Sequence, residues 1–321
     1  MDLIGFSMMR NEEDIVEQFV RHNIRFFKKL YVFDHGSVDC TGEILRSLNQ
    51  EGLPVIPLYS AHLDSLIGHA QMEVMTTMIK FAVADNGAAI YFPIDADEFL
   101  HPRKDMDAFR QMVEESEDWV FSVPHLNMPI VPDCAESLLA DVPKSLNRLQ
   151  RWRSVDHQYS KVAIKITDPS LVDRLLVCQG NHNVILDGNV VEKKANEDLL
   201  GYIHVPVRSS EQAYRKFVCG WLSNVQRFGI DTRIASHWKH IFNLICDDKF
   251  APADRNLAHL LSKIYTDPLD FELDFEITDS GNLFSYDLAY RNLRKSGFGV
   301  LLRNIEADFQ KQFIKASAQE R

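Results

Sequence analysis

Short apolar runs alternate with amphipathic stretches along the first two thirds of the chain. Apolar runs bounded by turn residues predict buried strands, while apolar residues that recur every three or four positions predict helices. The predicted strands lie near residues 3–9, 30–33, 53–58, 90–94, 119–123, 161–166, 184–189 and 202–206. The predicted helices lie near residues 15–27, 41–48, 69–85, 105–117, 209–221, 237–246 and 253–265. Strands and helices that alternate in this way predict an α/β fold with a parallel sheet covered on both faces.

The pattern changes near residue 229, where the chain becomes mostly helical. We therefore predict two parts, residues 1–228 and a mostly helical region at 229–321. Within the second part, residues 269–277 alternate between apolar and acidic side chains. This alternation predicts a half-buried strand with a solvated acidic face rather than a metal site. The mildly basic tail after Leu288 fits a solvated closing helix, and peripheral contact with an anionic membrane is the alternative.

Polar residues stand at the ends of three predicted strands, at 10–12, 34–36 and 95–97. In parallel sheets flanked by helices, ligands bind outside the carboxyl ends of the strands. Residues two apart in a strand share a face, so the two aspartates at 95 and 97 are expected on one side and Glu98 on the other. Two carboxylates on one face suit Mn²⁺ or Mg²⁺ with a phosphate substrate. A solvated acidic turn is the structural alternative.

Charge and cysteine content narrow the functional classes. The net charge of −11 disfavours a nucleic-acid partner, and it would also repel a nucleoside diphosphate unless a cation or local basic groups reverse the field. The five cysteines are widely spaced and form no Cys-x-x-Cys pair, which argues for a reducing, cytoplasmic location. The start of the chain is too short and too acidic for a signal peptide, and no apolar run is long enough to span a membrane.

Two motifs in a fixed order carry a resemblance to a known family. The first reads Asp-His-Gly-Ser-Val-Asp-Cys-Thr from Asp34, and the second reads Asp-Ala-Asp from Asp95 on another predicted strand. Together with the opening Met-Arg-Asn-Glu-Glu from Met9, these motifs resemble glycosyltransferase family 2, whose members have the GT-A fold. His35 departs from the family pattern, because a second aspartate is usual at that position.

The chain is most similar to a subgroup whose second motif continues as Asp-x-Asp-Glu-Phe. Later features of this subgroup are matched by Gly-Asn-His at 180–182, by His204 followed by Arg208, and by Lys216. The resemblance covers residues 3–220. It implies a GT-A sheet that is mixed but mostly parallel and flanked by helices. The mostly helical C-terminal extension lies beyond the resemblance and is predicted from the residue pattern alone.

The resemblance also implies roles for individual residues. Asp34 matches the carboxylate that contacts the nucleotide base, and Asp97 matches the direct ligand of Mn²⁺ or Mg²⁺. Asp95 matches the carboxylate near the ribose or the water shell of the metal. His182 and His204 are candidates to complete the metal shell, with a structural role as the alternative for each. The other expected substrate contacts are Asn11, Glu12, Gly36, Glu98, Arg208 and Lys216, of which the last two would neutralise the diphosphate.

An inverting transfer needs a general base that deprotonates the acceptor hydroxyl. The candidate is Asp187, which lies at a predicted turn well downstream of the second motif. Its rivals are Glu192, Asp141 and Glu136. Glu98 is expected to orient the loop or to face the acceptor rather than to bind the metal directly. Residues 127–147 contain three prolines and form either a loop over the substrate or a tolerated surface insertion.

The expected function is a metal-dependent, inverting glycosyltransferase. It would move a sugar from a nucleotide sugar, with UDP as the favoured nucleotide, to a hydroxyl acceptor in polysaccharide or other glycan assembly. One alternative is a catalytically degenerate GT-A module that only binds nucleotide sugars, which the unusual His35 favours. Another is a different metal-dependent phosphate enzyme. Haloacid-dehalogenase phosphatases also use Asp-x-Asp, but they need Thr or Ser soon afterwards, where this chain has Glu-Phe-Leu at 98–100.

Overall fold

The computed structural model describes residues 1–60, 63, 66, 70–127, 150–152, 160–196, 198–206, 208, 210–231, 236–246, 275–277, 288–293, 302–303 and 305–306. Its strands are β1 Leu3–Met9, β2 Lys29–Asp34, β3 Val55–Leu58, β4 Ala89–Pro93, β5 Glu98–Pro102, β6 Val120–Asn127, β7 Gln150–Trp152, β8 Ser160–Ile166, β9 Leu175–Val177, β10 Val184–Leu186, β11 Asn189–Val190, β12 Leu200–His204 and β13 Phe275–Ile277. Its α-helices are α1 Val16–Asn23, α2 Thr41–Gln50, α3 Gln71–Asn86, α4 Met106–Glu115, α5 Ser210–Phe228 and α6 Ser236–Cys246.

Eight strands form one mixed sheet in the order β3-β2-β1-β4-β8-β6-β12-β5. Strands β5 and β8 run antiparallel to their neighbours, while the other pairings are parallel. The predicted α/β fold, a mostly parallel mixed sheet flanked by helices, is confirmed. One edge of this sheet therefore receives the carboxyl ends of β1, β2, β4, β6 and β12 together with the start of β8.

Both faces of the sheet are buried under other elements. On one face, helices α1, α2 and α4 pack against strand residues such as Val32 and Phe92. On the other face, helix α3 and the small sheet of β9, β10 and β11 pack against residues such as Phe33 and Tyr91. Burial on both faces explains why the central strands are continuous apolar runs in the sequence.

The acidic motif lies in a turn rather than in a strand. Strand β4 ends at Pro93, and β5 begins at Glu98 and runs back along β12. The backbone N–H of Glu98 donates to the carbonyl oxygen of Asp95 at 3.1 Å, which closes the turn. The expectation that Asp95 and Asp97 share a strand face, with Glu98 opposite, is therefore wrong. A turn does not keep the alternation of a strand.

The loop after β1 also differs from its predicted form. From its residue type, Asn11 is a good N-cap for the first predicted helix, but helix α1 begins at Val16, so Asn11 lies too far upstream to cap it. Asn11 instead adopts a left-handed backbone conformation with φ of 58°. Its side-chain Oδ1 accepts a hydrogen bond from the backbone N–H of Val38 at 2.8 Å. Asn11 therefore ties the loop after β1 to the loop after β2.

Several contacts join the described parts of the C-terminal region to the rest of the chain. Helix α6 packs on α5, where the Nζ of Lys239 lies 5.4 Å from the centre of the Trp221 ring. Strand β13 pairs with β7. The buried Glu17 carboxylate of α1 accepts the backbone N–H groups of Ala289 and Tyr290 at 2.8 and 3.1 Å. The division into residues 1–228 and 229–321 stays a prediction.

Some predictions fall outside the described residues. These are the loop at 127–147 beyond Asn127, the helix at 253–265 and the first part of the acidic strand at 269–277. Within the described helices, none combines the length and the apolar character that a membrane crossing requires.

Candidate functional site

The ends of β1 and β2 form one side of the site. Asp34 ends β2, and its Oδ1 accepts the backbone N–H of Ser37 at 2.9 Å. Its Oδ2 lies against the first turn of α2, where a Cβ atom added to Gly42 would approach it to 2.7 Å. Gly36 has a φ of 73°, which a turn of this kind requires. The backbone N–H of Asn11 donates to Oγ of Ser37 at 2.8 Å, so the predicted residues Asn11, Asp34 and Gly36 do lie together.

Asp95 is held by three donors from three different elements. Its Oδ1 accepts from the side-chain amides of Gln71 and Asn181, each at 2.8 Å. Its Oδ2 lies 2.5 Å from Nζ of Lys161, which starts the antiparallel strand β8. The Lys161 side chain is only 5% exposed. Both oxygens of Asp95 are thus occupied by protein groups, and its expected contact with the ribose or the metal shell stays a prediction.

Glu98 shares the same lysine. Its Oε1 lies 3.0 Å from Nζ of Lys161, and its Oε2 accepts the backbone N–H of Asp95 at 3.0 Å. The side chain is completely buried. Burial raises the pKa of Glu98 to about 8, although the charge of Lys161 opposes that shift. Glu98 therefore braces the turn from inside the protein, next to Asp95 rather than on the opposite side.

Asp97 faces a different set of partners. Its Oδ2 accepts from Nζ of Lys216 on α5 at 2.7 Å, and its Oδ1 lies 3.5 Å from Nε2 of His204 at the end of β12. Burial tends to raise the pKa of Asp97, but Lys216 and His204 hold it well below its ordinary value. Asp97 is therefore ionised and lies between a lysine and an imidazole, as a ligand of a cation or a phosphate site would.

Arg208 lies behind these residues rather than in the open part of the site. Its guanidinium Nε donates to Oδ2 of Asp14 at 2.6 Å, and its terminal nitrogen donates to the Glu12 carboxylate. The Arg208 side chain is fully buried. Burial raises the pKa of Glu12 to about 7, although Arg208 opposes that shift. The expected roles of Arg208 on the diphosphate and of Glu12 on the substrate stay predictions, because these two groups are already paired.

Three histidines form a row beside Asp97. The rings of His204 and His125 are 5.4 Å apart, and those of His125 and His182 are 6.4 Å apart. The Nδ1 atom of His182 lies 3.2 Å from the carbonyl oxygen of Ser160, so it carries the proton of the neutral ring. Burial and then Lys161 lower the pKa of His182 to about 4. His182 is therefore a neutral side chain oriented by the backbone.

Asp187 is not brought to this cluster. It lies at the turn between β10 and β11, at the end of β10 that is remote from His182. Its Oδ1 accepts from Nε of Arg174 at 2.8 Å, and both side chains are exposed. Its role as general base stays a prediction that this geometry does not support. Of its rivals, Glu192 is exposed, and Asp141 and Glu136 lie outside the described residues.

Sequence reasoning missed four residues of the site: Gln71, His125, Lys161 and Asn181. Lys161 belongs to a predicted strand, and His125 lies just beyond another predicted strand. Their approach to Asp95 and Asp97 depends on the order of the strands in the sheet, which the sequence does not give. His125 follows an apolar run at 119–123, as the other polar strand ends do, and that signal could have identified it. Nothing in the sequence points to the contact between Asn181 and Asp95.

The arrangement fits a divalent cation only in part. Among the residues that the structure describes, no group of three or more histidine, cysteine, aspartate or glutamate side chains is arranged to hold a metal ion. Asp97 and His204 are close enough to be two ligands of one ion. Mg²⁺ and similar ions often take one or two protein ligands and complete their shell with phosphate oxygens and water. The donor set therefore suits Mn²⁺ or Mg²⁺ that arrives with a diphosphate.

Comparisons with known proteins do not assign a family. No protein-family model matches the chain, and no curated protein matches it. Among solved structures, glucosyl-3-phosphoglycerate synthase from Mycobacterium tuberculosis, in complex with Mn²⁺, UDP and glucosyl-3-phosphoglycerate, aligns with a TM-score of 0.29 and 16% identity. This alignment covers 54% of the present chain and 59% of the synthase, so the chain spans less than two thirds of that protein.

Two further structures align over more of the chain. A mannosyltransferase from Pyrobaculum calidifontis, in complex with GDP-Man and Mn²⁺, has a TM-score of 0.34 and 13% identity over 83% of this chain and 70% of that one. A mannose-1-phosphate geranyltransferase from Thermus thermophilus has a TM-score of 0.27 and 9% identity over 75% of this chain and 68% of that one. Scores this low carry no argument about function. The fold assignment rests on the strand order, and the resemblance to glycosyltransferase family 2 stays a prediction.

Proposed function

We propose that this protein is a glycosyltransferase that moves a sugar from a nucleoside diphosphate sugar, with UDP as the favoured nucleotide, to an acceptor hydroxyl with inversion. The observation that carries the proposal is one edge of the sheet. There, Asp34 at the end of β2 and the Asp97–His204 pair between β4 and β12 emerge on the same side. The first carboxylate suits a base and the pair suits a diphosphate with its cation.

The base and the diphosphate of a nucleotide sugar each have a chemical partner in this arrangement. Oδ1 of Asp34 is used by the backbone of Ser37, which fixes the carboxylate so that Oδ2 can accept an N–H group of a pyrimidine base. Lys216 supplies a positive charge beside Asp97. That charge offsets the negative field of the protein where the diphosphate would bind.

The reaction forms a bond from the acceptor oxygen to the anomeric carbon and breaks the bond from that carbon to the diphosphate oxygen. The acceptor proton passes to a base, and the nucleoside diphosphate leaves with one more negative charge. A divalent cation held by Asp97 and His204 would stabilise that charge as a Lewis acid. Lys216 contributes a second positive charge, and Lys161 with Glu98 keeps the turn that carries Asp97 in place.

The first test replaces Asp97. The protein should hydrolyse a UDP-sugar slowly in the presence of Mn²⁺, with water as the acceptor, and Asp97→Asn should reduce that rate about 100-fold or more, as expected for a group that stabilises developing charge. Asp107→Asn is a matched control, because Asp107 is exposed and its partner in the described part of the chain is Arg110, at 2.7 Å. Full activity of Asp97→Asn would contradict the proposal. Calorimetry with a panel of nucleotide sugars identifies the donor.

The second test concerns the base pocket. Gly42→Ala places a methyl group 2.7 Å from Oδ2 of Asp34, so the carboxylate must move and UDP should bind more weakly, by about tenfold. Alanine favours a helix over glycine by up to about 1 kcal/mol, so the free energy of unfolding should not fall in parallel. Unchanged UDP affinity would argue against a base contact by Asp34.

A binding module without catalysis is the second candidate. Two observations favour it: Lys161 and Lys216 already neutralise the acidic motif, and Asp187, the predicted general base, pairs with Arg174 instead of lying beside Asp97. This candidate predicts that UDP-sugars bind with Mn²⁺ while no nucleoside diphosphate is released over many hours. Measurable hydrolysis that disappears in Asp97→Asn would exclude it.

A further inference from the structure

Lys193 binds two residues that are next in sequence to residues that hold Asp95. Its Nζ donates to Oγ of Ser160 at 3.0 Å and to the backbone oxygen of His182 at 2.9 Å. Ser160 directly precedes Lys161, and His182 directly follows Asn181. Both of those neighbours bind Asp95. The ammonium group of Lys193 therefore lies at the same edge of the sheet as the acidic motif, beyond the row of histidines.

Lys193 differs from the other two lysines of this edge in its partners. Lys161 and Lys216 each lie within 2.7 Å of a carboxylate oxygen. Lys193 is half-buried, yet across the described part of the chain it contacts only neutral oxygen atoms. Burial lowers the pKa of Lys193, as expected for a cation that no neighbouring anion stabilises.

Among the described residues, Lys193 and Ser160 each keep a hydrogen-bond donor for a ligand. An ammonium group has three N–H donors, and two of those of Lys193 are used by Ser160 and His182. The third donor and the hydroxyl hydrogen of Ser160 can both reach one ligand. A half-buried cation that binds a phosphate or carboxylate gains a charge-assisted hydrogen bond, which is stronger than a neutral one.

We propose that Lys193 and Ser160 form an anion subsite for the acceptor, and that the acceptor of the transfer carries a phosphate or carboxylate group. This inference rests on the proposed function, because it assigns a class of acceptor to the same site. The row from His182 through His125 to His204 separates Lys193 from Asp97. The anionic group would thus bind apart from the donor diphosphate, and the reacting hydroxyl would lie between them.

The test uses inorganic phosphate as the probe. Phosphate is titrated against the full-length protein, Lys193→Gln, Lys193→Arg and Lys194→Gln by calorimetry at fixed ionic strength. Lys194 is the matched control, because it is the next residue, is half exposed and lies 3.7 Å from Asp118 instead. Lys193→Gln should weaken phosphate binding about tenfold, while Lys194→Gln and Lys193→Arg should remain close to wild type. Equal denaturation midpoints confirm that all variants are folded.

A second titration, with UDP and Mn²⁺, separates the acceptor from the donor. All three glutamine and arginine variants should bind UDP as the wild type does. The inference is overturned if the wild type does not bind phosphate, if Lys193→Gln binds it unchanged, or if the phosphate and UDP affinities fall together. In the last case Lys193 would serve the donor. Failure of the proposed function has a different signature: the wild type would then either bind no UDP in the second titration, or bind it without releasing nucleoside diphosphate from a UDP-sugar.

Discussion

The acidic turn at residues 95–98 contacts a different lysine on each of two sides, which we call its Lys161 end and its Lys216 end. At one end, Asp95 and Glu98 share Lys161, which lies within the sheet on β8 and has a side chain that is 5% exposed. At the other end, Asp97 meets Lys216, which lies on helix α5 and has a side chain that is 21% exposed. The first lysine is surrounded by protein, whereas the second borders the open side of the site. We infer that the Lys161 end holds the turn and that the Lys216 end meets the ligand.

The largest expected effect is on stability and comes from Lys161→Met. Removing one partner of a buried ion pair leaves an uncompensated charge, which typically destabilises a protein by about 3–5 kcal/mol. Urea denaturation measures the free energy of unfolding. Lys165→Met is the control, because Lys165 is on the same strand but, among the described residues, binds backbone oxygens, those of Val113, Glu114 and Ser116, and no carboxylate. If Lys161→Met lowered the free energy of unfolding less than Lys165→Met does, the Lys161 end would not be the part that holds the turn.

Lys216→Met should weaken ligand binding as well as lower stability. Lys216 is 21% exposed and Asp97 keeps His204 beside it, so the loss of this lysine should lower stability less than Lys161→Met does, by about 1–3 kcal/mol. Binding of UDP with Mn²⁺ should weaken about tenfold, because a positive charge beside the diphosphate is lost. Calorimetry and urea denaturation of the same preparation give both values. A large stability loss with unchanged UDP affinity would show that this end is structural as well.

The dependence of stability on pH should reveal the raised pKa of Glu98. Its pKa in the folded protein is raised to about 8 from an ordinary 4.5, so its contribution to stability is complete at low pH and is lost as pH rises towards 8. Glu98 should therefore make the free energy of unfolding fall from about pH 4.5 to 8, and the part between pH 6.5 and 8 is the window in which to measure it. Glu12, with a pKa near 7, adds to this fall. His182, whose pKa is lowered, acts below that window and in the opposite direction.

Glu98→Gln should flatten this dependence, most clearly above pH 7 where Glu12 contributes little. The glutamine can still accept the backbone N–H of Asp95, so the turn should keep its shape. Denaturation at three pH values is sufficient. If the slope above pH 7 were unchanged, Glu98 would already be ionised in the folded protein at neutral pH.

The smallest expected effect is the coupling energy between Lys161 and Lys216 in the stability of the protein. If Lys161 and Lys216 act separately, the stability losses of the single variants should add in the double variant within about 0.5 kcal/mol. A larger coupling energy would mean that Asp95 and Asp97 respond as one unit. The measurement is the same urea denaturation applied to the two single variants and the double variant.

The sequence predicted the sheet well but the site only in outline. Apolar runs such as residues 3–9 and 30–33 correspond to β1 and β2, because burial on both faces leaves a strong signal in the sequence. The convergence of Asp34 with the acidic motif at one edge also follows from the rule for parallel strands. These inferences depend on local pattern and on general topology, both of which a single sequence contains.

Partners from distant parts of the chain could not be predicted. Lys161 reaches Asp95 because β8 inserts antiparallel beside β4, and nothing in the local sequence specifies that order. The placement of Glu98 was missed because the strand was assumed to continue through the motif. Arg208 follows β12 along the chain, but its pairing with Asp14 depends on how close this part of the chain comes to the loop after β1.

The contact between Glu17 and residues 289–290 has a consequence for cleavage of the chain. Helix α6 is attached to α5 at one end of residues 247–287, and the buried Glu17 carboxylate binds the backbone just after the other end. A single peptide bond cut within that segment would leave two fragments with a ready-made site of association. They should elute together from a sizing column. Glu17→Gln, which lacks the charge that strengthens both hydrogen bonds, should weaken this association, while the pairing of β13 with β7 and the hydrogen bond from the Tyr290 hydroxyl to Glu51 still contribute to it.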